Sequence, residues 1–172
     1  LAANNLNISG GNLGVGEDGN LVMGVTGFKQ GMSVSEALKS SSEATVTQTG
    51  GTVNVAGRMD LGGTLNIQGG EFTVGKEGKV FVLQDAADAP AWGKNSAINM
   101  QGGVLNVDGY AEASQLSITG GTTNIIGDGS EWHQTGLGGY SQTWDVETGA
   151  WVASGSPTMV SGPDTVVNIE NG

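Results

Sequence analysis

The chain has 172 residues and a formal net charge of −11, with 6 basic residues against 17 acidic ones. The basic residues (Lys29, Lys39, Arg58, Lys76, Lys79 and Lys94) are scattered, so no basic patch exists to neutralise nucleic-acid phosphates or anionic lipid, and neither is an expected partner. Glycine reaches 32 residues without a three-residue period and with only 3 prolines, which excludes collagen, and 37% hydrophobic residues at 13% charge argue against disorder.

Cysteine is absent, which removes disulfides and thiolate metal sites. No apolar run approaches the length of a membrane-spanning helix, so membrane insertion is not expected.

Along the chain one hexapeptide returns, Gly-Gly-x-h-x-h with h apolar. The first strand, Leu6-Asn7-Ile8, keeps the alternation without the glycines. Gly10-Gly11-Asn12-Leu13-Gly14-Val15 follows. An insertion is expected from about 16 to 43. It contains one short helix candidate, Ser33 to Lys39, where Ser33 and Glu36 have capping-box spacing. Three copies come next: Gly50-Gly51-Thr52-Val53-Asn54-Val55, Gly62-Gly63-Thr64-Leu65-Asn66-Ile67 and Gly69-Gly70-Glu71-Phe72-Thr73-Val74. A second insertion is expected over 84–95. Gly102-Gly103-Val104-Leu105-Asn106-Val107 and Gly120-Gly121-Thr122-Thr123-Asn124-Ile125 complete the series. A third insertion, 127–162, carries Trp132, His133, Tyr140, Trp144 and Trp151. The last strand is built around Val167-Asn168-Ile169.

Gly50 and Gly69 are 19 residues apart, and Gly102 and Gly120 are 18 apart. That interval is too short for helical-pair repeats and fits one coil of a parallel β-helix. In h-x-h both apolar side chains face the same way, because side chains alternate along a strand. The glycine pair makes the corner, where positive φ costs nothing without a Cβ. The expected fold is therefore all-β: a single domain over 1–172, a parallel β-helix of about 18–20 residues per coil with loop insertions. Val53, Val55, Leu65, Ile67, Phe72, Val74, Leu105, Val107 and Ile125 are expected inside. Asn54, Asn106 and Asn124, with Thr73 and Gly14 as variants, are expected to form one outward ladder.

The segments Thr47-Gln48-Thr49-Gly50-Gly51-Thr52-Val53-Asn54-Val55 and Gly127-Asp128-Gly129-Ser130-Glu131-Trp132-His133-Gln134-Thr135-Gly136 resemble the repeats of bacterial autotransporter passengers and related sorted surface proteins. That resemblance implies a right-handed β-helix, secreted and displayed on a bacterial cell surface.

Chemistry is sparse. His133 is the single histidine, and the acidic residues are spread through turns rather than paired as a hydrolytic acid/base couple requires. The expectation is no enzyme and no cofactor. Glu17, Asp18, Asp128 and Glu131 offer oxygen ligands on tight turns and are the weak candidates for calcium, although neither turn matches a known calcium loop. Thr-x-Thr arrays suited to ice are broken by asparagine. Trp132, His133, Tyr140, Trp144 and Trp151 are the binding candidates; the competing reading has them capping or packing the solenoid. Leu6, Ile8, Val167 and Ile169 lie on terminal strands whose open edges invite pairing. The expected function is structural or adhesive: a rod-like surface segment or a filament subunit. Its partner is then another copy, docked head to tail, or a covalent continuation of the solenoid. The alternative is a carbohydrate-binding or carbohydrate-active β-helix that contacts a surface glycan.

Overall fold

The computed structural model describes residues 5–24, 44–82, 97–113, 115–127, 130–134, 141–145, 150–154, 159–160 and 165–170. All of the described regular structure is β. The chain winds through successive coils of three short strands. Coil 1 is β1 (Asn5–Ile8), β2 (Asn12–Val15) and β3 (Asn20–Met23). Coil 2 is β4 (Ala44–Gln48), β5 (Thr52–Val55) and β6 (Arg58–Leu61). Coil 3 is β7 (Gly63–Ile67), β8 (Glu71–Val74) and β9 (Lys79–Val82). Coil 4 is β10 (Ala97–Met100), β11 (Val104–Val107) and β12 (Tyr110–Ala113). Coil 5 is β13 (Gln115–Ile118), β14 (Gly121–Ile126) and β15 (Glu131–Gln134). A hairpin of β16 (Ser141–Asp145) and β17 (Ala150–Ser154) intervenes before coil 6, which adds β18 (Met159–Val160) and β19 (Thr165–Glu170).

Three parallel sheets result. Sheet A runs β1-β4-β7-β10-β13-β18, sheet B runs β2-β5-β8-β11-β14-β19, and sheet C runs β3-β6-β9-β12-β15. The fold is the parallel β-solenoid that the repeat demands. All nine residues expected inside are buried, and the core continues through Val46, Met59, Leu61, Val80, Val82, Ile98 and Met100. Each inward column therefore stacks an apolar side chain on its equivalent one coil away, about 4.8 Å along the axis. Gln48 and Thr123 are polar exceptions, both fully buried: Thr123 follows Leu105 in its column, and Gln48 takes an inward position in register with Ile8 and Ile67. Its Nε2 donates to the Gly51 carbonyl (3.2 Å) and the Glu71 carbonyl (3.0 Å), so the amide ties the A-to-B corner of its own coil to the next.

The three corners obey different rules. At the A-to-B corner the second glycine of each pair (Gly11, Gly51, Gly70, Gly103, Gly121) lies at φ 73–80°. The next coil then bonds directly to it: Thr52 N donates to Gly11 O, Glu71 N to Gly51 O, Val104 N to Gly70 O and Thr122 N to Gly103 O, all at 2.9–3.0 Å. The B-to-C connections alternate in length, with 16–19, 75–78 and 127–130 in odd coils and only 56–57 and 108–109 in even coils. The C-to-A connections alternate too: 24–43, 83–96 and 135–158 in odd coils, but residue 62 alone and residue 114 alone in even ones. All long insertions thus leave from one edge of the prism. Two of the expected insertion ranges are wider than this. β3 lies within 16–43, and β15 and β18 lie within 127–162, so those stretches contribute strands to the stack. The helix candidate at 33–39 lies outside the described residues.

Candidate functional site

Three surfaces stand out: an amide ladder, a charged and aromatic patch, and the two end faces. The ladder is on sheet B. Register places Gly14, Asn54, Thr73, Asn106, Asn124 and Asn168 in one outward column. Asn168 Nδ2 donates to Asn124 Oδ1 (2.7 Å), Asn124 Nδ2 donates to Asn106 Oδ1 (2.8 Å), and Asn106 Nδ2 donates to Glu71 Oε1 (2.9 Å). An asparagine amide is donor and acceptor at once, so identical residues one strand spacing apart satisfy each other. Sheet A holds a second rung of this type, Asn99 Nδ2 to Asn66 Oδ1 at 2.9 Å. Asn66 belongs to the same hexapeptide as the ladder residues, yet its strand, β7, joins sheet A.

Sheet C presents a different face. Arg58 Nε and Nη2 donate to Asp60 Oδ2 and Oδ1 at 2.7 and 2.9 Å, a forked pair on one strand. The Arg58 guanidinium sits 4.3 Å from the centre of the Phe81 ring on the neighbouring strand. Phe81 in turn meets Tyr110 with ring centres 5.3 Å apart and planes tilted by 40°. The Tyr110 hydroxyl donates to Glu112 Oε2 at 2.6 Å. Cation, ring, ring and carboxylate therefore run diagonally across three strands. Burial pushes the Tyr110 phenol well above its ordinary range, and the hydrogen bond to Glu112 and the charges of Glu112 and Glu131 push the same way. Beside this patch a recess opens over Gly109, walled by Lys76, Lys79, Tyr110 and Glu131. It lies where the two-residue turn of coil 4 follows the four-residue turn of coil 3.

The residues singled out from sequence are dispersed over these surfaces. Trp132 follows register with the inward Ala111, and its indole is half-buried against the core. Its buried Nε1 has no hydrogen-bond partner, as do Thr123 Oγ1 and Ser130 Oγ in the same coil. His133 is in register with Glu112 on β12. Trp144 and Trp151 stand directly opposite each other in the antiparallel hairpin β16–β17. Tyr140 and Asp128 lie outside the described residues. Glu17 and Asp18 are exposed in the turn of coil 1, whereas Glu131 begins β15 in coil 5, four coils away. Among the described residues no group of three or more His, Cys, Asp or Glu comes together as a metal site.

No family model, no curated protein and no solved structure matches this chain.

At the ends, Leu6 and Ile8 lie on β1, an edge of sheet A, and Val167 and Ile169 lie on β19, an edge of sheet B. Leu6, Leu13 and Leu21 are only half-buried, although their column mates Val46, Val53 and Met59 are each 1% exposed. Val167 is 36% exposed in the column that contains Leu13 and Val53. The sheet C patch was not foreseen, because Arg58, Phe81 and Tyr110 sit on strands lacking the glycine motif and meet only through inter-coil register.

Proposed function

We propose that this chain is a structural, non-enzymatic rod on a bacterial cell surface, either a passenger-type segment or a filament subunit. The observation that carries the reading is the unbroken register of sheets A and B. Six strands at about 4.8 Å spacing give a rigid stack about 24 Å long, with apolar columns inside and amide ladders outside. Such a body transmits position: it holds whatever its one-edge insertions carry at a set distance. Location outside the cell is part of the proposal and rests on the repeat resemblance. The described acids support a non-catalytic role, since Asp60 is held by Arg58 and Glu112 by Tyr110. Small-angle scattering tests the reading. An axial length that grows in proportion to coil number when two coils are added or removed supports it, and a length indifferent to coil number sinks it.

The surface-glycan reading draws on a specific feature too, the ring and carboxylate of Tyr110 and Glu131 beside Lys79, with the hairpin that pairs Trp144 with Trp151 on the same chain. Screening a glycan array with the wild-type chain and with Tyr110→Ala decides it: binding lost in the variant favours this reading, and an array without binding removes it.

A further inference from the structure

The first glycine of each corner pair has a visible reason for being glycine, except in coil 1. A Cβ on Gly50 would lie 2.8 Å from Ser9 O, one on Gly69 2.6 Å from Thr49 O, one on Gly102 2.5 Å from Gln68 O, and one on Gly120 2.6 Å from Gln101 O. In each case the obstacle is a backbone carbonyl of the preceding coil, which cannot give way as a flexible side chain would. A Cβ on Gly10 would meet nothing within 4 Å, and Gly10 is not among the positive-φ glycines. Nothing among the described residues requires glycine there. What would require it is another coil lying against coil 1, with its own carbonyl at the corner.

The apolar columns point the same way. Leu6, Leu13 and Leu21 are half-buried side chains in columns whose members in coils 2 to 4 are all buried. The opposite end is complementary. Val167 stands in the same inward column as Leu13 and is exposed, while Asn168 ends the sheet B ladder. Both faces are cross-sections of one repeating stack, so the contact that already joins coil to coil within the chain can join chain to chain.

We propose that coil 1 is the acceptor face for coil 6 of a second copy of this chain, with β19 of one copy pairing alongside β2 of the next and Val167 covering Leu13. This deepens the rod reading and rests on it. The contact is heterologous, so it propagates into a filament rather than closing as a dimer. With a net charge of −11 on every copy, screening by salt favours it.

Sedimentation velocity of the full chain over a range of concentrations and two salt levels tests the proposal. The wild type should form a concentration-dependent series of oligomers. Gly10→Val fits open space in the single chain, so it should keep the wild-type thermal midpoint yet lose association at least tenfold. Val167→Lys, at an exposed position on the other face, should do the same. Each variant retains one intact face, so an equimolar mixture of the two should give dimers and nothing larger. A wild type that stays monomeric at every concentration overturns the proposal, as does a Gly10→Val variant that associates normally or a mixture without dimer. Should Gly10→Val melt early, Val167→Lys alone and its mixture with wild type, which must shorten the oligomers, decide the matter. The same runs report the frictional ratio. An elongated monomer that does not associate refutes the interface and leaves the rod intact, whereas a compact monomer refutes the rod itself.

Discussion

The A-to-B and C-to-A corners belong to the same coils, yet they have opposite tolerances. At the A-to-B corner every coil from the first to the fourth uses a three-residue connection ending in a glycine at positive φ. At the C-to-A corner the connection ranges from residue 62 alone to the whole of 135–158. The difference lies in what each corner touches. At the A-to-B corner the backbone of one coil rests on the backbone of the next, so both length and residue type are held. At the C-to-A corner the connections alternate between long and single-residue ones, so length there is not held.

Breaking the tight corner should have the largest effect. In Gly103→Val the new Cβ would lie 2.5 Å from Gly70 O and 2.8 Å from Gly69 C, at φ 78°. The strained backbone alone costs up to about 3 kcal/mol before the collision is counted. Thermal denaturation should show a loss of at least that size, and a near-native midpoint would refute the backbone-contact account of this corner.

The loose corner should behave oppositely. Replacing 83–96 by one glycine, as Gly62 does for coil 2, shortens a loop whose closure costs entropy. Stability should stay level or rise by up to about 2 kcal/mol. A clear loss would mean that the insertion helps to hold the stack. On the face between the corners, Asn124→Ala removes two rungs of the ladder, the bonds to Asn106 and from Asn168. The expected cost is about 1 kcal/mol, since net hydrogen-bond contributions at part-exposed sites are modest. Chemical denaturation that separates Asn124→Ala from Asn124→Thr by less than its error would remove the ladder from the stabilising interactions.

The smallest expected effect concerns Tyr110. Its folded-state phenol titrates above the ordinary value of 10.0, so folding favours the neutral form. That contribution is fully present below the ordinary value and fades as pH rises beyond it. The melting temperature of the wild type should therefore fall more steeply above pH 10 than that of Tyr110→Phe. Parallel curves would show that burial of this hydroxyl is not coupled to folding.

Much of the fold was legible because strand alternation and glycine corners are local. Phe72 and Val74 flank Thr73, and that spacing alone sends the pair inward. Less visible was which sheet a given copy joins. Gly62 to Ile67 reads like Gly102 to Val107, yet neither Gly62 nor Gly63 adopts positive φ. Gly63 is instead needed because a Cβ would run into the backbone of Ala44. Gln48 was equally hidden: a glutamine between two threonines gives no sign that its amide will be buried and bonded across two coils. The sheet C patch depends on Arg58, Phe81 and Tyr110, which are at least 23 residues apart in sequence between first and second and come into contact only when coils stack.

By itself the sequence determined the repeat and the inward and outward residues of each motif, since these follow from the two-residue period of a strand and the absence of a Cβ. Only the tertiary structure decided which strands share a sheet, that the long insertions all leave from one edge in alternate coils, and that Gly10 faces open space. Those properties depend on distances between residues in neighbouring coils, and such distances are set by how the whole stack closes rather than by any one segment of it.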